Sequence, residues 1–371
     1  MIRKIVIAVG SVLAIQAVGA FLFAWSGLYS VAASDRHWPI TYWFLVFGLR
    51  NSIETHSIGI EVPPLDDMSL VYRGIGHYRG GCEPCHGAPG SSPNPITQQM
   101  LPEPPYMPDV VQDWEPQHLF WIVKNGLKYS GMPGWVPPER ADEVWAVVAA
   151  LLRLPEMSPE EYQKLSGGEV ASRSDIVGET AELIGIAGPV GNDLLACGRC
   201  HGLKGTGGGA GGFPRLAGQK QDYLYETMKS YAIGNRPSGM MQPVAVELTD
   251  EQLRQLASYY AGITEALPPP DNGPDSAELV KQGRTIVEHG IPGQNVPACA
   301  TCHGVDGMAS DKPGHYPRLA GQYAGYLQQQ LTLWNEGRRG DSPHARIMSA
   351  AARGLNADQI RAVAHYYASL R

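Results

Sequence analysis

The sequence predicts an all-α chain in which one N-terminal transmembrane helix leads into three small helical units. Three observations carry that prediction. An apolar stretch near the N-terminus is long enough to cross a bilayer. A pentapeptide of the form Cys-x-x-Cys-His occurs three times. Residues 197–262 and 299–370 are copies of one another, and each copy closes in a segment with a helix-start signal and an apolar face.

The N-terminal segment begins with Arg3 and Lys4 and continues as an uncharged run of 30 residues from Ile5 to Ser34. That exceeds the 7–15 apolar residues of a signal-peptide core and suffices to span a bilayer. Residues 1–34 are therefore read as an anchor. A cleaved signal peptide, with Val31-Ala32-Ala33 as its small-residue site, is the competing reading. Arg3 and Lys4 hold the N-terminus in the cytoplasm, which places everything after the anchor outside.

Residues 35–66 include the stretch His37 to Leu49, too short to cross the membrane a second time. Pro39 suits a first helical turn. The aromatics that follow suit a helix lying at the membrane surface, or equally a core helix packed on the first unit.

Cys82-Glu83-Pro84-Cys85-His86, Cys197-Gly198-Arg199-Cys200-His201 and Cys299-Ala300-Thr301-Cys302-His303 account for all six cysteines. This pattern is the attachment signature of c-type haem. Two thiols one helical turn apart can each bond a different vinyl edge of one porphyrin. The adjoining histidine then sits under the iron as its axial ligand. Zinc would call for ligand pairs separated by a longer loop. A thioredoxin-like pair would accompany a βαβ pattern, which is not found. A disulfide framework does not explain three histidines in register. The expected cofactors are three covalently bound haem c groups.

The first unit, residues 67–165, reads as an opening helix from Asp67 to Tyr78, a proline-rich loop from Ala88 to Pro108, and a closing helix from Glu139 to Leu154. The second and third units, 171–266 and 272–371, share Phe/Tyr-Pro-Arg-Leu-Ala-Gly-Gln at 213–219 and 316–322, a Tyr-Leu pair and a terminal tyrosine pair. Thr249 and Asn356 are N-caps for their closing helices, with Gln252 and Gln359 completing capping boxes. Tyr259-Tyr260 and Tyr366-Tyr367 are expected in the core. Gly178, Thr180 and Gly185 align with Gly283, Thr285 and Gly290. The stretches from Pro155 to Asp175 and from Glu265 to Ser276 read as linkers, the second stiffened by Pro268-Pro269-Pro270.

Haem held by His and Met is six-coordinate, of raised potential, and suited to electron transfer. The axial pairs are read as His86 with Met132, His201 with Met241 and His303 with Met348. Their separations of 46, 40 and 45 residues agree. Met240 competes with Met241, and Met100 and Met107 compete with Met132.

Units two and three resemble the dihaem cytochrome c4 family through Cys-His-Gly-x-x-Gly, Pro-Arg-Leu-Ala-Gly-Gln, the Tyr-Leu pair, Met241/Met348 and the tyrosine-rich closing helix. Unit one resembles a class I monohaem cytochrome c through Cys-His-Gly-Ala-Pro-Gly and Gly-Met-Pro-Gly-Trp. The resemblance implies three class I cytochrome c domains, each all-α, and an electron-transfer function. It further implies that a proline carbonyl orients each proximal imidazole. Pro214 and Pro317 fit by position, while several prolines compete in unit one. Arg236 and Arg339 either pair with haem propionates or are solvated surface arginines.

The chain has 371 residues and a formal charge of −7, with no dense Lys/Arg stripe, which argues against a nucleic-acid partner. The resulting expectation is a trihaem electron carrier on the inner membrane, with its haem domains in the periplasm and no catalytic residues of its own. It would pass electrons from a quinol-oxidising complex or periplasmic donor to a terminal oxidase. A haem subunit of an alcohol- or gluconate-type dehydrogenase is the alternative, and a haem enzyme with an open iron a third class.

Overall fold

The computed structural model describes residues 1–166, 191–208, 211–264, 276–341 and 343–371, and among them it is helical, with only isolated β-bridges. Helix α1 (Ile2–Ser26) is exposed along its length. Its 25 residues rise about 37 Å, more than a hydrocarbon core of about 30 Å. It stops before the uncharged run does, because Gly27 takes a left-handed φ of 67° and ends the helical bonding.

Helix α2 (Pro39–His56) differs at its two ends. Its first turns expose Ile40, Tyr42, Trp43, Phe44 and Phe47. Its last turns pack on unit one: Ile53 is buried, Arg50 lies 5.1 Å from the Trp114 ring and the His56 ring lies 5.6 Å from that of Trp121, tilted by 36°.

Unit one contains α3 (Met68–Gly81), α4 (Glu83–His86), α5 (Pro116–Asn125), α6 (Ala141–Leu151) and α7 (Pro159–Leu165). Asp67 caps α3 by accepting from Ser69 N at 2.8 Å. The apolar stripes of α3 and α6 face each other and bury Val71, Ile75, Val144, Val147 and Leu151. They approach closely because Gly74 has no side chain to hold them apart. Helix α6 is shorter than the expected 139–154 stretch: Arg140 has non-helical dihedrals, and a 3-10 turn takes over at Leu154–Glu156.

Part of the expected first linker is core. Ser158 caps α7 and Pro159 opens it, and Tyr162 and Leu165 are buried with unit one. Residues 167–175, and the aligned Gly178, Thr180 and Gly185, lie outside the described residues, as does 265–275 with Pro268-Pro269-Pro270.

Unit two contains α8 (Gly191–His201), α9 (Gln221–Ala232), α10 (Met241–Val246) and α11 (Asp250–Ala261). Unit three contains α12 (Ser276–His289), α13 (Ala300–His303), α14 (Ala324–Asn335), α15 (Pro343–Ala352) and α16 (Ala357–Ser369). Both expected capping boxes form. Tyr260, Tyr366 and Tyr367 are buried in their unit cores, with Tyr259 packed against its own.

The repeated Pro-Arg-Leu-Ala-Gly-Gln segment builds the contact between its two copies. Gln322 accepts from Arg215 N and donates to Arg215 O, both at 3.0 Å. Gln219 accepts from Arg318 N at 2.8 Å and donates to Arg318 O at 2.9 Å. Each buried amide thus satisfies a peptide of the other copy, and the exchange is reciprocal. Unit one lacks the segment and docks by other means, described below.

Candidate haem sites

Each Cys-x-x-Cys-His stretch folds as one tight turn of helix. His86 N donates to Cys82 O and His303 N to Cys299 O, each at 2.9 Å, and α8 carries the third motif in its last turn. All six cysteines are half-buried, and none is joined to another in a disulfide. Burial pushes the first thiol of each motif upward, Cys82 to about 12 and Cys197 and Cys299 to about 11. The glycine after each histidine (Gly87, Gly202, Gly304) has φ between 64° and 76°, which turns the chain away from the imidazole.

Burial lowers the proton affinity of all three histidines, partly offset by proline carbonyls, and takes His303 to about 4. All three rings are therefore neutral, as metal ligation requires. His86 Nδ1 lies 2.9 Å from Pro105 O and His201 Nδ1 lies 3.0 Å from Pro214 O. A proton on Nδ1, held by the carbonyl, leaves Nε2 with its lone pair free. Pro317 faces His303 closely enough to raise its proton affinity, but the contact falls short of hydrogen-bond geometry. Both ring nitrogens of His303 are consequently buried without partners. A buried, unpaired imidazole nitrogen is costly unless it binds something, and iron meets that need.

Cys197, His201, Pro214, Arg236 and Met241 line one cavity of about 880 Å³, part of it open to solvent. Its remaining walls are mostly apolar, from Leu216, Leu224 and Leu256 to Tyr260, with Tyr326 and Leu327 contributed by unit three. A planar apolar ligand with one polar edge suits such a lining.

Comparison with known proteins agrees. The cytochrome c family model matches residues 191–262 and 280–371. The model for subunit III of cbb3-type cytochrome c oxidase matches residues 71–149. A thiosulfate dehydrogenase electron acceptor of Stutzerimonas stutzeri is 37% identical over 180 residues, 47% of this chain and 79% of that protein. The chain belongs to the cytochrome c family. Cytochrome c4 of Stutzerimonas stutzeri is 32% identical to it over 48% of this chain and 85% of that protein. The solved cytochrome c4 of Acidithiobacillus ferrooxidans is 34% identical, covers 47% of this chain and 98% of its own, and superposes with a TM-score of 0.41. Three cysteine pairs of the haem-attachment type give this cytochrome three sites for covalent haem c.

The competing methionines occupy different surroundings. Met241 begins α10 on the wall of the His201 cavity. Met240 points the other way, onto Gly80 and Gly81 at the end of α3. Met132 packs on the unit-one core with Cys82 and Trp135, Met107 packs on the same core, and Met100 lies against Gly131. Met348 is half-buried on α15, which packs against α14.

Arg236 and Arg339 are buried, so solvated surface positions do not describe them. Arg236 donates to Gln330 Oε1 at 2.9 Å and to Tyr326 OH at 3.2 Å, and lies 4.5 Å from the Tyr231 ring. Arg339 shares the same Gln330 oxygen and lies 4.5 Å from the Trp334 ring. Two buried guanidiniums converge on one neutral amide. This is an environment that carboxylates would relieve, and haem propionates are carboxylates.

A tyrosine clamp escaped the sequence reading. In every unit two phenols donate to the carbonyls of the two residues after the histidine. Tyr78 and Tyr106 serve Gly87 and Ala88, Tyr260 and Tyr259 serve Gly202 and Leu203, and Tyr367 and Tyr366 serve Gly304 and Val305. The terminal tyrosine pairs were a visible signal for two units. Unit one assembles the same clamp from its opening helix and its loop.

Proposed function

We propose that this cytochrome is a membrane-anchored trihaem electron carrier of the periplasmic face. Electrons reach it from a quinol-oxidising complex or periplasmic donor and leave it for a terminal oxidase. Cys82, Cys85, Cys197, Cys200, Cys299 and Cys302 hold the haems. His86, His201 and His303, with Met132, Met241 and Met348, would ligate the irons. When bound, the haem irons supply the one-electron chemistry. The chain fixes the imidazole tautomer of His86 through Pro105 and of His201 through Pro214, places Pro317 beside His303, and offers Arg236 and Arg339 to the propionates. The carrying observation is the cavity in which His201 and Met241 share one wall system with Cys197.

The exposed apolar α1, continued by the aromatic end of α2, supports the anchor. Tyr29, His37, Trp38 and Phe23 pack together at the join between the two helices. The oxidase-subunit match over unit one supports a terminal oxidase as acceptor. The relative named as a thiosulfate dehydrogenase electron acceptor favours a second reading, in which a dehydrogenase is the donor.

The test is purification from detergent-solubilised membranes. Three irons per chain, three Met-to-ferric-iron absorption signatures and reduction by a quinol-oxidising complex are expected. Fewer than three irons, or one iron that binds carbon monoxide readily at neutral pH, would refute the reading. Copurification of a stoichiometric catalytic subunit would shift it to the dehydrogenase branch.

A further inference from the structure

Glu143 lies in the first turn of α6 and is 2% exposed. Its two oxygens accept four donors. Oε2 takes Trp135 Nε1 at 3.0 Å and Gly239 N at 2.8 Å. Oε1 takes Ser238 Oγ at 3.2 Å and Arg140 Nη1 at 2.9 Å. Trp135 belongs to the unit-one loop that carries Met132, three residues upstream. Ser238 and Gly239 belong to the unit-two turn that leads into Met241. Ser238 Oγ in turn accepts from Met241 N at 3.3 Å.

The same two loops also touch directly. A Cβ on Gly239 would stand 2.4 Å from Trp135 Nε1, so the indole lies against the bare Cα of that glycine. Arg140 adds a third tie by donating to Pro237 O. A fully satisfied buried carboxylate of this kind is rigid, because removing any one donor leaves a desolvated charge short of a partner. Trp135 and the Ser238–Gly239 turn are thereby held by one group, and neither can move without disturbing the other's hydrogen bonds.

We propose that Glu143 is a positioning residue that couples the methionine ligand loops of units one and two, so that loosening of either loop loosens the other. The coupling rests on Met132 and Met241 being the axial ligands. Among the described residues unit three donates no hydrogen bond to Glu143, and it stands outside the coupling.

The experiment uses the full-length holoprotein and follows the Met-to-ferric-iron band during stepwise guanidinium titration. Met132→Ala, Met241→Ala and Met348→Ala assign the band of each haem. In the parent chain, Met132→Ala is expected to lower the midpoint at which the Met241 band is lost, with the Met348 band unmoved. In a Glu143→Ala background that effect disappears. Equal lowering in both backgrounds, or no lowering in the parent, overturns the proposal. If Met132→Ala or Met241→Ala removes no band, the ligand reading itself fails, which is a different result from additivity. Trp135→Phe keeps the ring and removes one donor. It is expected to lower both the Met132 and Met241 midpoints, and movement of the Met132 midpoint alone also overturns the coupling.

Discussion

Substituting Gly74 by alanine should unfold unit one at a much lower temperature, although alanine is the better helix former. In an open helix the exchange gains about 1 kcal/mol. Here the added Cβ would stand 1.8 Å from Ala146 O and 2.8 Å from Ala150 Cβ. The nearest atom is backbone, so no rotamer change can clear it. Restoring a contact of about 3.5 Å from 1.8 Å requires α3 and α6 to part by roughly 1.7 Å. That separation opens the contacts of Val71, Ile75, Val147 and Leu151, all buried between or beside these helices. Overpacking that shifts backbone costs typically about 1–3 kcal/mol. At the upper end of that range, less the gain of about 1 kcal/mol in propensity, the net loss is about 2 kcal/mol. For a unit of this size the melting temperature falls by roughly 8–16 °C. Thermal melts of the holoprotein, read at the Met132-assigned band, measure it. Gly283→Ala should do the same to unit three, since its Cβ would meet Ala362 O at 2.1 Å. Gly48→Ala is the control, with nothing within 4 Å. A Gly74→Ala melt at or above that of the parent would refute the argument from helix contact.

Two further outcomes follow from buried polar contacts. Tyr366→Phe and Tyr367→Phe each strip one donor from Val305 O and Gly304 O. Each should cost unit three about 1–2 kcal/mol in guanidinium unfolding, with the double variant showing whether the clamp acts as a pair. Lys220 of unit two donates to Ala309 O and, at 3.0 Å, to Lys312 O in the unit-three haem loop, and its charge opposes protonation of His303. A cation there disfavours the ferric state, so Lys220→Met should lower the unit-three potential in a spectroelectrochemical titration and leave that of unit one unchanged. Its counterpart Tyr323, which reaches Thr206 O at 3.3 Å, brings no charge to the unit-two loop.

What could be read from the sequence was what is encoded within a few residues. The three pentapeptides, the capping boxes at Thr249 and Asn356, and the core tyrosines are local patterns, and the structure has them. Helix α7 was equally local: Ser158 before Pro159 is a helix-start signal, but its place between two units made it read as linker. Pro105 could not be chosen among the unit-one prolines, since only the folded loop decides which carbonyl meets His86. The sequence does not decide between propionate-paired and solvated positions for Arg236 and Arg339, because burial is a property of two units meeting. Asp142 and Glu143 stand in the first turn of α6, where acidic residues are common in helices, so nothing local marks them out. Besides Arg140 and Trp135 of their own unit, they meet partners in other units, about a hundred to two hundred residues further on.

Asp142 shows how such a residue ties the units into one titrating structure. Its carboxylate takes Arg140 at 2.9 and 3.0 Å within unit one, and Arg338 at 3.2 Å and Gln329 at 3.3 Å from unit three. Burial by itself would raise its proton affinity, but Arg140, then Arg338 and Arg73, outweigh burial and hold the group at about 2, below the ordinary 3.8. A depressed native value contributes stability that is complete above the unfolded value and is lost as pH falls through the native one. The window is therefore from about pH 4 down to about pH 2, and the contribution is about 2 kcal/mol. Asp142→Asn should remove it: the variant is less stable at neutral pH, and the difference from the parent shrinks toward zero as the pH approaches 2. Loss of haem ligation in acid is common to both proteins and cancels in that difference. Arg338→Gln should show a smaller change in the same window, because Arg140 still holds the carboxylate. A difference in guanidinium midpoint between parent and Asp142→Asn that stays constant from pH 7 to pH 2 would mean that Asp142 joins units one and three by shape alone, and that its charge does not contribute.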